Sequence, residues 1–469
     1  MHTFPIDRSK RIAIIGAGPA GLSTALFLQK HGYSNVTILE KLGRAGGLCK
    51  SLTIDGMSYD LGANYVTWAY TETLKIAKEF KATTYVEKPY VTIQLLPDNK
   101  ITYRPVLTAI LYNPYSGKTF STWTLVLTAI RYFFKRWKLS PLVDPPNAFA
   151  RVDEHPELCV TFKEWLDTNN VTDLASLFEI PITMMGYDQL SEIAAPYALK
   201  YMSLKTFVPM LLTHIPVINL LFQWPRRFTF GFQRLWESVS WRLNVRLNVR
   251  IKSIDRSNPD EPITIKFDVA EQDLDQIQYV EDEMQFDYLV LACPLRKDVF
   301  EKLNLNENAF EQEITDHIKI SEYCMTTFWV DGLKQPDPIA PVLPIPQGGI
   351  PWAVARQYQD QGNFFTQFYT QSDATQSRES VIQQVRLFIE RMGGTINETQ
   401  ERWHTFDRFT YFQHVGTSEF KSGFYKRIAE NQGEDRTFYV GGLTDFELVE
   451  PIVQHSKFIV EKHFVGSKG

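Results

Sequence analysis

The sequence predicts an α/β protein built on a parallel, nucleotide-binding sheet, and three observations predict it. An apolar run at residues 11–15 meets a glycine-rich turn, Gly16-Ala-Gly-Pro-Ala-Gly21. A helical stretch at 22–30 follows, and a second apolar run at 36–39 ends on Glu40. Near the far end, Arg436-Thr-Phe-Tyr-Val-Gly-Gly442 reads as one more strand running into glycines.

Each element has a physical role. An unbroken apolar run suits a strand buried on both faces. Gly16 permits the tight turn, Gly18 lets the backbone approach a pyrophosphate, and Gly21 lets helix and strand pack closely. Pro19 and Ala20 lie in the turn that leads into the helix, whose N-terminal N–H groups and positive dipole end suit phosphate oxygens. Glu40, 19 residues beyond Gly21 (40 − 21), is placed with Lys41 to meet an adenosine ribose. An acid there favours a plain ribose over a 2′-phosphate, which disfavours NADP.

At 469 residues the chain exceeds one core, since domains usually run ~100–200 residues. The apolar fraction of 44% and charged fraction of 22% are those of an ordinary globular protein. A formal net charge of −5 argues against a nucleic-acid binder. The 32 Phe and 21 Tyr suit either a large apolar pocket or simply a large core. Cys49, Cys159, Cys293 and Cys324 lie far apart, so neither a disulfide framework nor a metal site is expected. No signal-peptide pattern opens the chain, and the apolar stretch 207–224 is broken by Pro209, His214 and Pro216. The expectation is a cytoplasmic protein.

Beyond Glu40 come Leu42-Gly-Arg-Ala-Gly-Gly-Leu48 and Tyr59-Asp-Leu-Gly-Ala63. Here the sequence resembles the flavin-containing amine oxidase superfamily, in which an Arg-x-Gly-Gly turn meets the pyrophosphate and a Gly-Ala segment runs beside the flavin. The resemblance implies FAD, held non-covalently, against Arg44, Gly46, Gly47, Leu48, Gly62, Ala63 and Asn64. It implies backbone near Val249 and Ile251 against adenine. At the far end it implies Gly441, Gly442, Leu448 and Val449 beside the ribityl and isoalloxazine. Gly442 departs from the pattern, because the superfamily usually carries Glu or Asp there; Asp445 is a candidate replacement. A helix over 446–455 is expected to aim its N-terminus at the flavin. Gly186-Tyr-Asp, Pro196-Tyr-Ala-Leu-Lys-Tyr201, Tyr411-Phe-Gln-His-Val415 and Phe420-Lys-Ser-Gly-Phe-Tyr-Lys426 narrow the resemblance to bacterial polyunsaturated fatty acid double-bond isomerases.

The fold class expected is therefore α/β: a Rossmann-type, glutathione-reductase-like FAD-binding domain with a mixed α+β substrate domain and a helical cap, amine-oxidase-like. The FAD-binding parts are placed at 1–103, 225–294 and 405–469. A helical cap is placed at 104–224, and a β-rich substrate region at 295–404. In that region strands are expected at 324–330 and 364–370, with a helix at 379–392. The acidic stretch 271–287 reads as a solvated hairpin or loop.

The helix-like segment 123–139 is amphipathic and cationic towards its end. It reads as a peripheral membrane contact or as a cap helix packed on its own domain. The oligomeric state is left open.

An isomerase would take a hydride from the carbon between two cis double bonds and return it elsewhere. That needs a long apolar tunnel and a cation for the carboxylate. Met184, Met185, Phe207, Met210 and Leu211 are the tunnel candidates, with ordinary core the equal alternative. Arg104 is the candidate cation, since the segment Tyr90-Val-Thr-Ile-Gln94 lacks the arginine the isomerase would place there. Tyr411 is the one candidate catalytic side chain, as half of an amine-oxidase aromatic pair; the matching position carries Leu448 or Val449. His414 and His455 read as structural hydrogen-bonding groups. The competing readings are an amine or amino-acid oxidase, a lipid or isoprenoid desaturase, and a non-catalytic FAD-binding protein.

Overall fold

The computed structural model describes residues 5–86, 91–95, 101–212, 225–273, 276–333, 339–343, 345–346, 349–360, 363–372 and 375–466. Five parallel strands form the nucleotide-binding sheet, in the order Val245–Arg246, Val36–Leu39, Ile12–Ile15, Tyr288–Leu291 and Thr437–Tyr439. Ile12–Ile15 sits at the centre with all four residues buried, which is why its sequence is apolar without alternation. The helix Pro19–Lys30 packs against it through a contact that only glycine allows. A Cβ at Gly21 would stand 2.0 Å from the Gly16 carbonyl oxygen.

All five strands run the same way, so their carboxyl ends open on one edge. The backbone beyond them is zipped across that edge. Gly16 N–H donates to the Leu39 carbonyl at 2.9 Å, Ala292 to Ile15 at 3.0 Å and Val440 to Leu291 at 3.0 Å. Gly16, Glu40 and Gly441 are thereby delivered to one place from sequence positions hundreds of residues apart, at the edge where such sheets bind ligands.

Of the acidic stretch, residues 271–273 and 276–286 lie in paired antiparallel strands of a three-stranded sheet, Val249–Asp255, Ile263–Asp273 and Gln276–Phe286. A six-stranded antiparallel sheet carries Ile339–Pro341, Ala353–Asp360, Asn363–Ser372, Lys319–Asp331, Thr395–Ile396 and Thr405–His414. The helix Arg378–Arg391 covers one of its faces, with Val385, Phe388 and Ile389 against Phe328, Val330 and Phe368. The boundary drawn at 405 thus falls at the start of a strand that pairs along Lys319–Asp331. Flavin-side structure resumes after that strand.

The cap contains Thr122–Val143, Phe162–Thr168, Ala195–Tyr201 and Leu204–Leu212. Ser121 caps the first of these by accepting from Thr124 N–H, and Leu125, Ala129 and Tyr132 turn inward. Arg136 is fully buried on the same face, where it donates to the Leu199 carbonyl at 2.9 Å and pairs with Asp144. The remainder of the apolar stretch, 213–224, lies outside the described residues. Leu448 packs against both the cap-side core and the core under the nucleotide sheet, at their seam.

Candidate flavin site

The nucleotide cradle assembles around Glu40, whose carboxylate is buried and accepts from Ala17 N–H at 2.7 Å and Leu42 N–H at 2.8 Å. A carboxylate has about four acceptor sites, so two remain for ribose hydroxyls. Val249 N–H donates to the Glu40 carbonyl at 2.8 Å, which sets Val249 and the strand continuing to Ile251 beside the ribose acid. Pro19 and Ala20 open the first helix. Its N-cap, Gly18, offers no side-chain cap, so its first-turn N–H groups have no side-chain acceptor. Lys41 is exposed beside the cradle.

The second glycine turn closes over the first. A Cβ at Gly47 would lie 3.0 Å from Gly18 Cα, and Gly46 N–H donates to the Ala17 carbonyl at 2.8 Å. Arg44 braces its own turn, donating to the Gly47 carbonyl at 3.0 Å. Ala63 N–H donates to the Leu48 carbonyl at 3.3 Å, and Gly62 N–H to Lys50 at 3.2 Å. Asn64 reaches across to the antiparallel sheet, donating to the Tyr369 hydroxyl at 3.3 Å. An open helix terminus, a ribose acid with spare acceptor sites and two glycine turns at close approach are what a dinucleotide requires. These residues fit FAD. Cys49, in the same turn, is buried and its thiol is pushed up by burial, so it is held as the protonated thiol.

Structure corrects two expectations at the far end. The helix begins at Val449 rather than Phe446, with Leu448 as its N-cap. Residues 446–448 form a tight turn instead, where Leu448 N–H donates to the Phe446 carbonyl at 2.7 Å. The Glu447 carbonyl in that turn is held by the Tyr187 hydroxyl at 2.8 Å and the Tyr411 hydroxyl at 3.4 Å.

The acid beside Gly442 is Glu447, not Asp445. Asp445 is fully buried and paired with Lys200 at 2.5 Å. A Cβ at Gly442 would stand 2.8 Å from both Cβ and Cγ of Glu447. Gly441, at φ +142°, faces open space with no atom within 4 Å of where a Cβ would be. Its missing side chain keeps that space clear.

Burial pushes the Glu447 carboxyl up to about 7, offset in part by Gln413 N–H, which donates to it at 2.7 Å. The folded chain therefore holds this proton above pH 4.5, the ordinary value, where the unfolded chain has released it. Its contribution to stability is full below 4.5 and is lost as the pH rises towards about 7. The expected result is a melting temperature that falls across this window, with a shallower slope in Glu447→Gln. Equal slopes in both chains would show that Glu447 is ionised when folded.

Beside the cradle stands an aromatic wall. The Tyr187 ring lies 5.3 Å from Tyr411, 5.4 Å from Tyr201 and 4.9 Å from Phe446. Burial pushes the hydroxyls of Tyr187 and Tyr411 up, so both stay protonated donors. Tyr411 is aimed by a β-bulge. His414 pairs with Lys319 and Tyr411 with Ser321, leaving Phe412 and Gln413 opposite Ile320, and Phe412 sits at φ 45°. Asp188 ties the wall together, accepting from Ser321 at 2.5 Å and meeting His414 Nε2 at 3.0 Å. Two stretches that sequence alone singled out, around 186–188 and 411–415, are thus one cluster.

His455 is buried, with Nδ1 3.1 Å from the Thr444 hydroxyl, and burial pulls it down to about 3. It is neutral at physiological pH. Among the tunnel candidates, Met184, Phe207 and Met210 are buried in the cap-side core, and Phe207 lies 4.5 Å from the Tyr132 ring. Met185 and Leu211 pack partly buried against the same core. Arg104 is exposed on the hairpin strand Ile101–Pro105, opposite Thr92. Residues 87–90, in the segment where the isomerase would carry its arginine, lie outside the described residues. Among the described residues no group of His, Cys, Asp or Glu could hold a metal. Sequence reasoning missed Glu447. The signal was available, since a glycine where an acid is expected invites a search for a nearby acid that takes its space.

This chain belongs to the family described as flavin containing amine oxidoreductase, whose model matches residues 19–443. It is similar along its whole length to the crystal structure of a CLA-producing fatty acid isomerase from P. acnes. The TM-score is 0.77 at 23% identity, covering 98% of this chain and 100% of that one. Curated relatives match over short segments. Mitochondrial protoporphyrinogen oxidase of Nicotiana tabacum is 49% identical over 59 residues, 13% of this chain and 12% of the relative. Polyenoic fatty acid isomerase of Ptilota filicina is 39% identical over 72 residues, 15% of this chain and 14% of the relative.

Proposed function

We propose that this chain is an FAD-dependent double-bond isomerase acting on a long, apolar, lipid-like substrate, with FAD held non-covalently. The observation that carries the reading is the neutral aromatic wall beside the cradle. Tyr187, Tyr201, Tyr411 and Phe446 offer rings, burial keeps the Tyr187 and Tyr411 hydroxyls protonated, and Leu448 stands at the seam where an amine cage would call for a second ring. Asp188 pairs with His414 and Lys200 with Asp445, while burial raises the Glu447 carboxyl to about 7 and favours its neutral form. Such a wall excludes water and suits an apolar chain. Bound flavin supplies a hydride acceptor and donor at N5. Similarity to two fatty acid isomerases supports the substrate class.

The test mixes the flavoprotein with linoleic acid without oxygen while the ultraviolet and visible spectrum is recorded. Conjugated-diene absorbance accumulating over many turnovers, with the flavin oxidised at the end, is the expected result. Flavin that bleaches and recovers only with oxygen or a dye overturns the isomerase in favour of a desaturase or oxidase. No change in either band removes this substrate class. Acid precipitation should release the flavin into the supernatant; a yellow pellet would show a covalent bond.

A further inference from the structure

The helix Thr122–Val143 is apolar on two sides. Its inward side is accounted for by Leu125, Ala129 and Tyr132 in the cap core. Its outward side carries Trp123, Val126, Leu127, Ile130, Phe133, Phe134 and Trp137, all exposed to solvent. Trp123 is 68% exposed, Trp137 59% and Phe134 56%. At about 3.6 residues per turn these seven positions fall on one side of the helix, over about a third of its circumference. They occupy spacings of three and four, as an inward-facing stripe normally does. A helix apolar all round is ordinarily a buried one.

We propose that this outward face docks on the surface of an anionic lipid bilayer. Charge chooses that occupant. In a chain of net charge −5, the helix carries Arg131, Lys135, Arg136 and Lys138 and no acid. Arg136 is buried against Asp144, while Arg131, Lys135 and Lys138 are exposed. On the helix these three follow one another along a single flank of the apolar face. That is the section of an interfacial helix: apolar side chains among the acyl chains, cations level with the phosphates. The two tryptophans stand about 21 Å apart along the axis, both at positions suited to the headgroup layer. A second copy of this chain would bring the same cations and no acid on the helix to meet them. The helix lies on the membrane rather than across it. Among the described residues no helix is long and apolar enough to span one, and this helix has its other side in the cap core. This surface is independent of the substrate reading, so a chain inert towards linoleate would still bind vesicles.

The experiment sediments the flavoprotein with vesicles of phosphatidylcholine, with and without phosphatidylglycerol. The parent chain should pellet with the anionic vesicles and be released by salt. Phe134→Ser with Trp137→Ser should lower the partition coefficient by about tenfold or more. Lys135→Glu with Lys138→Glu should lower it similarly, on anionic vesicles only. All four side chains are exposed, and unchanged circular dichroism would confirm that the fold survives. A parent chain that stays in the supernatant overturns the proposal, as do variants that pellet like the parent. So does a solution dimer that the serine substitutions dissociate while vesicles bind neither form.

Discussion

Glu40→Ala should bind FAD at least about tenfold more weakly than the parent, read as the dissociation constant from titration of the flavin-stripped protein. Three losses combine. Ala17 N–H and Leu42 N–H lose their shared acceptor at a buried position, and each unmet donor costs ~1–3 kcal/mol. The ribose hydroxyls lose a charged acceptor, worth ~1.5–3 kcal/mol for a bond. Since ~1.4 kcal/mol is tenfold in affinity, tenfold is the modest end of the range. Glu40→Gln retains one acceptor oxygen and should fall between the two. If Glu40→Ala binds FAD as tightly as the parent, the carboxylate does not hold the ribose and the cradle has been assigned to the wrong acid.

Gly442→Asp, which restores the residue usual in the superfamily, should destabilise this chain instead of strengthening its hold on flavin. A Cβ there collides with Glu447 at 2.8 Å, and overpacking of this kind costs ~1–3 kcal/mol. Adding Glu447→Gly removes every clashing atom, Cβ included, so the double variant should recover both its melting temperature and its flavin. A single variant as stable as the parent would show that the turn carrying Glu447 shifts away freely and that the glycine has no packing reason. Here a substitution that looks like a repair is read as damage, because Glu447 already fills the space it would need.

Legibility followed the range of the contacts. The cradle could be read because strand, turn, helix, strand and acid follow one another within thirty residues, and each has a local signature. The far-end strand could be read for the same reason, from one apolar run meeting glycines. Phe446 was expected in a helix because the family resemblance implies one over 446–455. What stops the helix is the turn at 446–448, held by Tyr187 and Tyr411 from two other elements. No local pattern reports them. That Thr405–His414 pairs along Lys319–Asp331 could not be read, because a strand's sequence names its conformation but not its partner. The methionines and Phe207 illustrate the same limit, since core and tunnel have one composition and only the packing around them separates the two.

The order of strands in the parallel sheet has a consequence for how the chain becomes a protein. Tyr288–Leu291 separates the first strand from Thr437–Tyr439, and the latter is the edge that brings Gly441 to the cradle. During synthesis the glycine turn and its acid emerge early, yet their sheet waits for segments more than two hundred and then four hundred residues later. Contacts so distant in sequence are slow to form, and unpaired strand edges exposed meanwhile are prone to aggregate. A ligand that touches both early and late segments would capture the sheet once the last strand arrives. Flavin supply in the producing cell should therefore govern how much of this chain survives to fold, as well as how much of it is active.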